Sequence, residues 1–533
     1  MQRLKNSSAI LLSVLAGFLF WIAWTPNNFS AAIFFAFIPL FMIEEKEKNS
    51  FRFFLFIYLG FFTWNILTTW WIWNSTLIGA WLAIAVNSLL MFLPWWGYRK
   101  IKQHYSLTFS LIAFIFFWLS FEYLHQLDWG LSWPWLTIGN ALAERISWIQ
   151  WYEFTGTSGG TLWVVLINVI LYRAYIQEHA RRPELKTHLT VITALILPII
   201  VSAYIEQKET KQIASASKGV SDNIVVVQPN IDPYEKVSLG NLSNQIHQLI
   251  ELSRKQIDEN TTLLVWPETA LFAYGGIDES RISELNELKP VFNLLKQYPK
   301  LHLFTGIESY RIFPEKHSIS SKPIDASGNY YEIYNGAMLA DSSGALQFYH
   351  KSMLVPGVET LPRFLLFLGP VFEKFGGTAG GYARQEIRTT LPVKNHHNIA
   401  PAICYESIYG EYMSRYVNNG ANLIAIITND GWWGKTPGHE QHLAYARLRA
   451  IETRKWVVRS ANTGISSFIN PAGVIEQAAN WWQPVSLKHS VYTDSRKTFF
   501  VQWGDVISKM ALIFTSLIIL LYFFKKYRIK RAQ

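Results

Sequence analysis

The chain has 533 residues and a formal charge of +10, and half of its residues are apolar. That length exceeds one ordinary domain, and the uneven spread of the apolar residues excludes a wholly soluble protein: runs of membrane-spanning length crowd the N-terminal part and one more lies near the C-terminus. A single cysteine, Cys404, excludes an intramolecular disulfide.

Spans are expected near Ser8–Trp24, Ala31–Ile43, Phe53–Trp73, Ile78–Trp96, Leu107–Leu124, Gly159–Tyr175 and Leu189–Tyr204, then Val506–Phe524 after a long gap, eight crossings in all. The second is short against the roughly 20 residues a spanning helix needs. Orientation follows from the basic residues, because Lys and Arg resist translocation. Arg3, Lys5, Lys46, Lys48, Arg52, Arg99, Lys100, Lys102, Arg181, Arg182, Lys186 and the Lys525–Arg531 cluster fall on one side, whereas the opposite loops hold only Arg145. Both termini are expected in the cytoplasm and the stretch between the last two spans outside it. This topology accounts for the positive charge, and no nucleic-acid partner is expected. The basic segment before the first span resembles the start of a secretory signal, but no small-residue cleavage site follows, so the span is expected to stay. Trp70, Trp71, Trp73, Trp95, Trp96 and the run from Trp129 to Trp135 fit interfacial aromatic belts. The expected units are a membrane domain over 1–206, an extracytoplasmic domain over 207–498, and a last span with its basic tail over 499–533.

From about Gln207 the pattern changes to short β-rich runs separated by helix-like stretches, which is α/β texture. Strands are expected at Asn223–Gln228, Thr262–Trp266, Leu301–Gly306, Gly336–Ala340, Asn398–Ile403, Asn422–Thr428, Val457–Arg459 and Ile465–Ile469. Helices are expected at Leu242–Ile257, Arg281–Gln297, Ser407–Asn418 and Gly438–Thr453.

Chemistry-bearing residues stand at three places in this pattern. Cys404 closes the strand Asn398–Ile403, where a helix N-terminus after it would lower the thiol pKa; a lone cysteine is also commonly an inert buried hydrophobe. Glu268 follows Val265-Trp266-Pro267, where the proline ends the ladder and turns the chain outward; it suits a general base and equally a solvated turn acid. Lys351 lies among aromatic and apolar neighbours, although a lone lysine is ordinarily a surface charge. The three types belong together chemically. A thiol attacks as thiolate, so it needs a proton acceptor and a cation, and the cation with the N–H after Cys404 would stabilise an oxyanion. No spacing rule brings the three together.

Trp266-Pro267-Glu268-Thr269, then His350-Lys351-Ser352-Met353-Leu354-Val355-Pro356 with Glu359 after it, then Ile403-Cys404-Tyr405-Glu406, resembles in order and separation the Glu–Lys–Cys set of the nitrilase superfamily. The resemblance implies an αββα sandwich with Glu268 as base, Lys351 as oxyanion-stabilising cation and Cys404 as nucleophile. With the flanking spans, the motif Thr428–Gly434 and Gln441-His442, the whole chain is similar to the superfamily's membrane-bound apolipoprotein N-acyltransferase family: a polytopic helical membrane protein with an inserted α/β domain. That resemblance implies no cofactor and no metal, a glycerophospholipid acyl donor, and a diacylated apolipoprotein as acceptor. The implied reaction is acyl transfer to the α-amine of an S-diacylglyceryl cysteine through a Cys404 thioester, by a monomer in the bacterial inner membrane whose domain faces the periplasm. It also carries supporting roles onto Glu359, Tyr405, Glu406, Asn335 and Trp432. Pro356-Gly357-Val358-Glu359 replaces the family's Pro-Phe-Gly-Glu, so the turn at Glu359 is expected to differ. After Gln228–Ile231, Tyr234 stands earlier than the family's aromatic and Val237 takes its place.

The residues themselves leave two other readings open: a membrane-tethered carbon–nitrogen hydrolase acting on a small amide, and a transport or binding protein with an idle domain. His439-Glu440-Gln441-His442 has its histidines three apart and not four, so no zinc site is expected there. His396 and His397 are expected in solvent. Gly376–Gly381 is expected to be a mobile flap, and Leu361–Leu368, with Phe364, Leu365 and Phe367, to form a lipid entrance.

Overall fold

The computed structural model describes residues 2–26, 29–179, 185–219, 221–233, 242–324, 328–361, 367, 381–394 and 397–532. Most of the expected flap and lipid entrance, together with Tyr234, Val237 and His396, lies outside the described residues.

The N-terminal part is helical: α1 (Gln2–Ala23), α2 (Ile38–Lys46), α3 (Ser50–Thr69), α4 (Leu77–Leu90), α5 (Phe92–Lys102), α6 (Leu107–Gln126), α7 (Tyr152–His179) and α8 (Leu185–Ala216). The side chains of Asn49, Thr76 and Ser106 accept hydrogen bonds from otherwise orphaned N–H groups and so start α3, α4 and α6. Six stretches among the described residues are long and apolar enough to cross a membrane: Ser50–Asn74, Leu77–Lys102, Leu107–Gln126, Tyr152–Gln177, Leu185–Ala216 and Val506–Ile529. Ser7–Ala23 is apolar but shorter.

The expected second span is not one helix. Ser30–Phe35 forms a 3-10 turn and α2 follows it. Pro39 lacks the N–H that a continuing helix needs there, and its ring crowds the carbonyl one turn earlier. Asn168 of α7 fills the break, accepting from the Phe37 N–H at 2.9 Å and donating to the Ile33 carbonyl at 3.0 Å. A buried side-chain amide thus replaces the hydrogen bonds that the interruption frees.

The following part holds two sheets. The strands are β1 (Ser221–Gln228), β2 (Thr261–Val265), β3 (Ile277–Asp278), β4 (His302–Phe313), β5 (Lys322–Pro323), β6 (Tyr330–Ala340), β7 (Leu346–His350), β8 (Leu391–Pro392), β9 (Asn398–Ile403), β10 (Leu423–Thr428), β11 (Trp456–Ala461), β12 (Ser467–Ile469), β13 (Ile475–Ala478) and β14 (Val485–Tyr492). One sheet runs β14-β1-β2-β4-β6-β5, with β3 on β4 and β7 on β6; the other runs β13-β12-β11-β10-β9-β8. Side-chain alternation explains the layering. Val225, Val227, Leu264 and Trp266 face a core shared with α9 (Leu242–Arg254) and α10 (Lys289–Gln297), while Ile224, Val226, Leu263 and Val265 face a core shared with Ile399, Leu423, Ala425 and Ile427 of the second sheet. The second sheet is covered in turn by α11 (Gly410–Asn418) and α12 (Pro437–Thr453), giving an αββα sandwich. The chain then passes through α13 (Phe499–Trp503) into α14 (Val506–Ala532).

Three local expectations need correction. The helix expected from Arg281 begins at Lys289, where Pro290 suits a first turn, after two 3-10 turns. The helix expected from Ser407 is a 3-10 turn over Cys404–Ile408, and α11 starts only at Gly410. His397 is buried, with Nε2 3.1 Å from Asp222 Oδ2, because a carboxylate partner offsets the loss of water.

The sandwich and the helices are joined by Arg454, itself almost wholly buried. Its guanidinium donates to Glu153 Oε2 at 2.7 Å, Gln150 Oε1 at 2.7 Å, the Gln150 carbonyl at 2.8 Å and the Pro471 carbonyl at 3.0 Å. Arg447 makes a more open contact, 3.0 Å from Glu144. Arg454→Ala strands buried acceptors and is expected to cost about 3 kcal/mol. Arg447→Ala is expected to cost under about 1 kcal/mol, as solvent-screened pairs do. Thermal unfolding of the two purified variants in one detergent checks the order.

Candidate active site

Glu268, Lys351 and Cys404 sit just past the ends of β2, β7 and β9. The loop after β2 is tied along β4, with the Gly306 N–H donating to the Pro267 carbonyl at 3.1 Å and the Leu271 N–H to the Gly306 carbonyl at 3.0 Å. A Cβ at Gly306 would lie 2.6 Å from Glu268 Cα and 2.5 Å from Thr269 N, so only glycine lets the loop lie this close. Lys351 follows β7, an element the sequence pattern does not reveal, and its N–H donates to the Asn335 carbonyl of β6 at 2.9 Å.

The side chains converge. Lys351 Nζ lies 2.8 Å from Glu359 Oε1 and 3.6 Å from Glu268 Oε1, and the lysine is 1% exposed. Asn335 Nδ2 donates to both carboxylates, at 2.8 Å to Glu268 and 3.0 Å to Glu359. The Val355 N–H fixes the other oxygen of Glu359 at 2.8 Å. Gly357 takes a positive φ of 80° in that turn, so the displaced glycine still delivers Glu359 to the lysine. Burial works against the ammonium, but Glu359 and then Glu268 outweigh it and hold Lys351 above the ordinary lysine range.

Cys404 has a φ of +51°, a left-handed conformation that non-glycine residues adopt only where neighbours enforce it. Enforcement comes from Glu406, which is fully buried. Its Oε2 accepts from the Ile403 N–H at 2.8 Å, and its Oε1 accepts from the Ser352 N–H at 2.7 Å, Met353 N–H at 3.2 Å, Tyr349 OH at 2.6 Å and Tyr412 OH at 2.8 Å. One carboxylate therefore clamps the lysine's loop to the cysteine's turn. Tyr405 points the other way, toward the helices: its OH donates to the Ser132 carbonyl at 2.9 Å and its ring stacks on Trp133. Trp432 is half-buried in the loop after β10, its carbonyl 3.5 Å from Ser75 Oγ. The next residue, Trp433, packs on Trp71, Trp135 and His442.

The lowering of the thiol pKa expected from a following helix is not found. Burial first and Glu268 second push the Cys404 thiol above its ordinary value, with Lys351 opposing them, and a short 3-10 turn stands where the helix was expected. Cys404 is therefore a thiol at rest. Asp430, His442 and Arg459, which sequence reasoning gave no role, form a buried cluster behind the turn; the motif Thr428–Gly434 was the available signal. His439, the other histidine of the apparent zinc motif, stacks on Trp481.

These opposing charges make a signed prediction. Glu268→Gln removes a group that raises the thiol pKa, so the midpoint of the rate of Cys404 alkylation by iodoacetamide against pH is expected to move down. Lys351→Met removes the opposing cation and is expected to move it up. A common midpoint for wild type and both variants would contradict this account.

The carbon–nitrogen hydrolase family model matches residues 224–489, and the model of the apolipoprotein N-acyltransferase N-terminal domain matches residues 16–170. The chain is 27% identical over 523 residues to the apolipoprotein N-acyltransferase of Chlorobaculum tepidum, covering 95% of each chain. It is 26% identical over 532 residues to that of Geobacter metallireducens, covering 97% of this chain and 95% of the relative, and 27% identical over 530 residues to that of Rickettsia prowazekii, covering 96% of each. With both of its parts matched in turn and relatives aligned nearly end to end, the chain belongs to the apolipoprotein N-acyltransferase family.

Proposed function

We propose that this acyltransferase moves an acyl chain from a glycerophospholipid to the N-terminal amine of a diacylated apolipoprotein, through a thioester on Cys404. The observation that carries the reading is the convergence of Glu268, Asn335, Lys351 and Glu359 beside a strained cysteine turn whose neighbour, Tyr405, is bonded to the helical part.

In the first step Glu268 takes the thiol proton as Sγ adds to the donor's ester carbon, and the carbonyl electrons move onto oxygen. Lys351 Nζ and the Tyr405 N–H stabilise that oxyanion. Collapse expels the lysophospholipid alkoxide, which takes the proton from Glu268. In the second step the acceptor's neutral amine adds to the thioester carbon, Glu268 removes the ammonium proton, and the amide forms as the thiolate leaves and is reprotonated. Glu359 and Asn335 keep the lysine and the base apart and oriented; Glu406 and Tyr405 hold the nucleophile's turn. Apolar helices on both sides of the sandwich support a bilayer setting. The basic-residue asymmetry supports an extracytoplasmic sandwich over 207–498 between a membrane domain, 1–206, and the closing segment, 499–533.

Purified protein incubated with fluorescent-acyl phospholipid is expected to gain a label that hydroxylamine removes. Cys404→Ser should abolish it, and Glu268→Gln and Lys351→Ala should each lower its rate by about 10²-fold or more. Label passed to a diacylated lipopeptide amine supports transfer. Rapid release as free acid with the amine present identifies a hydrolase, and no label at all removes the acyl-enzyme.

A further inference from the structure

The cluster behind the nucleophile is built around the carbonyl of Cys404. Ser407 Oγ donates to that oxygen at 2.8 Å. His442 Nε2 lies 2.9 Å from Ser407 Oγ and 3.2 Å from the same carbonyl oxygen. On the far side of the ring, Nδ1 lies 2.9 Å from Asp430 Oδ1. Burial opposes ionisation of Asp430, but Arg459 and then His442 outweigh it and hold its carboxyl well below the usual carboxylate range; Arg459 Nη2 lies 3.2 Å from the same Nδ1. With Nε2 as a donor, the carbonyl accepts from both Ser407 and His442. Ser407, Asp430, His442 and Arg459 are all fully buried. Seven residues along α12 from His442, Arg449 Nη1 donates to the Ile408 carbonyl at 2.8 Å, so one helix face grips both ends of the turn.

The carbonyl of Cys404 and the N–H of Tyr405 belong to one planar trans amide and point in opposite directions. Fixing the oxygen toward Ser407 and His442 therefore fixes the N–H toward the opposite side, and hydrogen bonds to an amide oxygen strengthen the donor at its other end. We propose that Ser407 and His442, the latter oriented by Asp430, are positioning residues that aim and polarise the Cys404–Tyr405 peptide as the second oxyanion donor beside Lys351. This rests on the acyl-enzyme reading above. None of these residues touches the substrate; they act through the amide.

The test separates a reaction that needs an oxyanion from one that does not. Acylation by a phospholipid ester passes through a tetrahedral oxyanion, whereas alkylation of Cys404 by iodoacetamide displaces iodide at a saturated carbon. In full-length protein, His442→Leu is expected to slow acylation by about 10²-fold, comparable to loss of one oxyanion-hole donor, and Ser407→Ala by about tenfold. Alkylation should change less than about threefold in either. His442→Gln, whose amide can present an N–H near the position of Nε2, should recover about tenfold of the loss. Acylation and alkylation falling together in Ser407→Ala, or unchanged acylation in a folded His442→Leu, overturns the assignment. Should His442→Leu not fold, Ser407→Ala alone decides by the same ratio. Wild-type protein that is alkylated at Cys404 but never acylated overturns the acyl-enzyme reading itself, and the positioning role falls with it.

Discussion

The site depends on a buried carboxylate that has no counter-ion in contact among the described residues. Glu406 is fully buried and burial pushes its pKa up, yet five hydrogen bonds converge on it from Ile403, Tyr349, Ser352, Met353 and Tyr412. An unpaired buried carboxylate is costly, and satisfying it this fully offsets much of that cost. The resulting constraint is geometric: the N–H groups come from the loop after β7 in one sheet and the end of β9 in the other. A carboxylate that must collect donors from both sheets fixes the lysine relative to the cysteine. Without that clamp, Cys404 would be free to relax from its left-handed φ toward ordinary backbone, which would turn the thiol away from Glu268.

What was legible in the chain follows from range. β9, expected at Asn398–Ile403, occupies those residues because a continuous apolar run between turn residues is a local signal. The strands expected at Asn223–Gln228 and Thr262–Trp266 were readable for the same reason, and β1 and β2 cover nearly the same residues. β7 and β14 were not, since Leu346–His350 and Val485–Tyr492 mix polar and apolar residues and owe their strand state to partners β6 and β1. The break at Phe37 required knowing that Asn168, far along the chain, would stand beside it. At the site, Glu268, Lys351 and Cys404 could be named from motifs, and Asn335 less firmly. That Asn335 bridges the two carboxylates, and that a histidine from a rejected zinc motif stands behind the Cys404 turn, are tertiary facts. The pKa expectation failed on the same ground: a helix after a strand was foreseen, but not the burial and the neighbouring carboxylate that outweigh any helix dipole.

The joint between sandwich and helices is aromatic as well as ionic. Tyr405 stacks on Trp133, Trp133 on Trp135, and Trp135 meets Trp71, Trp433 and Tyr445 edge-on or tilted. Polar tips anchor the rings, with Trp135 Nε1 donating to Gln441 and Tyr445 OH to the Trp135 carbonyl. Rigid aromatic contacts lose little entropy on ordering, so a wall of this kind fixes the height of the cysteine turn over the helices better than flexible ion pairs would.

The charge balance is compatible with attack by a thiol of raised pKa, as the proposed first step requires. Lys351 stands 2.8 Å from Glu359 but 3.6 Å from Glu268, so Glu359 is its ion-pair partner and Glu268 the looser neighbour, steadied by Asn335. Moving the thiol proton to Glu268 leaves the net charge of the group unchanged: one carboxylate is neutralised as one thiolate appears, with the same ammonium beside both. A buried site penalises new net charge far more than charge relocated over a short distance. In the proposed reaction, the features that keep Cys404 protonated at rest therefore oppose attack only weakly once an ester is in place, because the developing negative charge would pass from sulfur to the ester oxygen next to Lys351. A lower thiol pKa would store more thiolate between turnovers but yield a weaker nucleophile. Under the proposed mechanism the buried arrangement would instead generate the thiolate only as it is consumed.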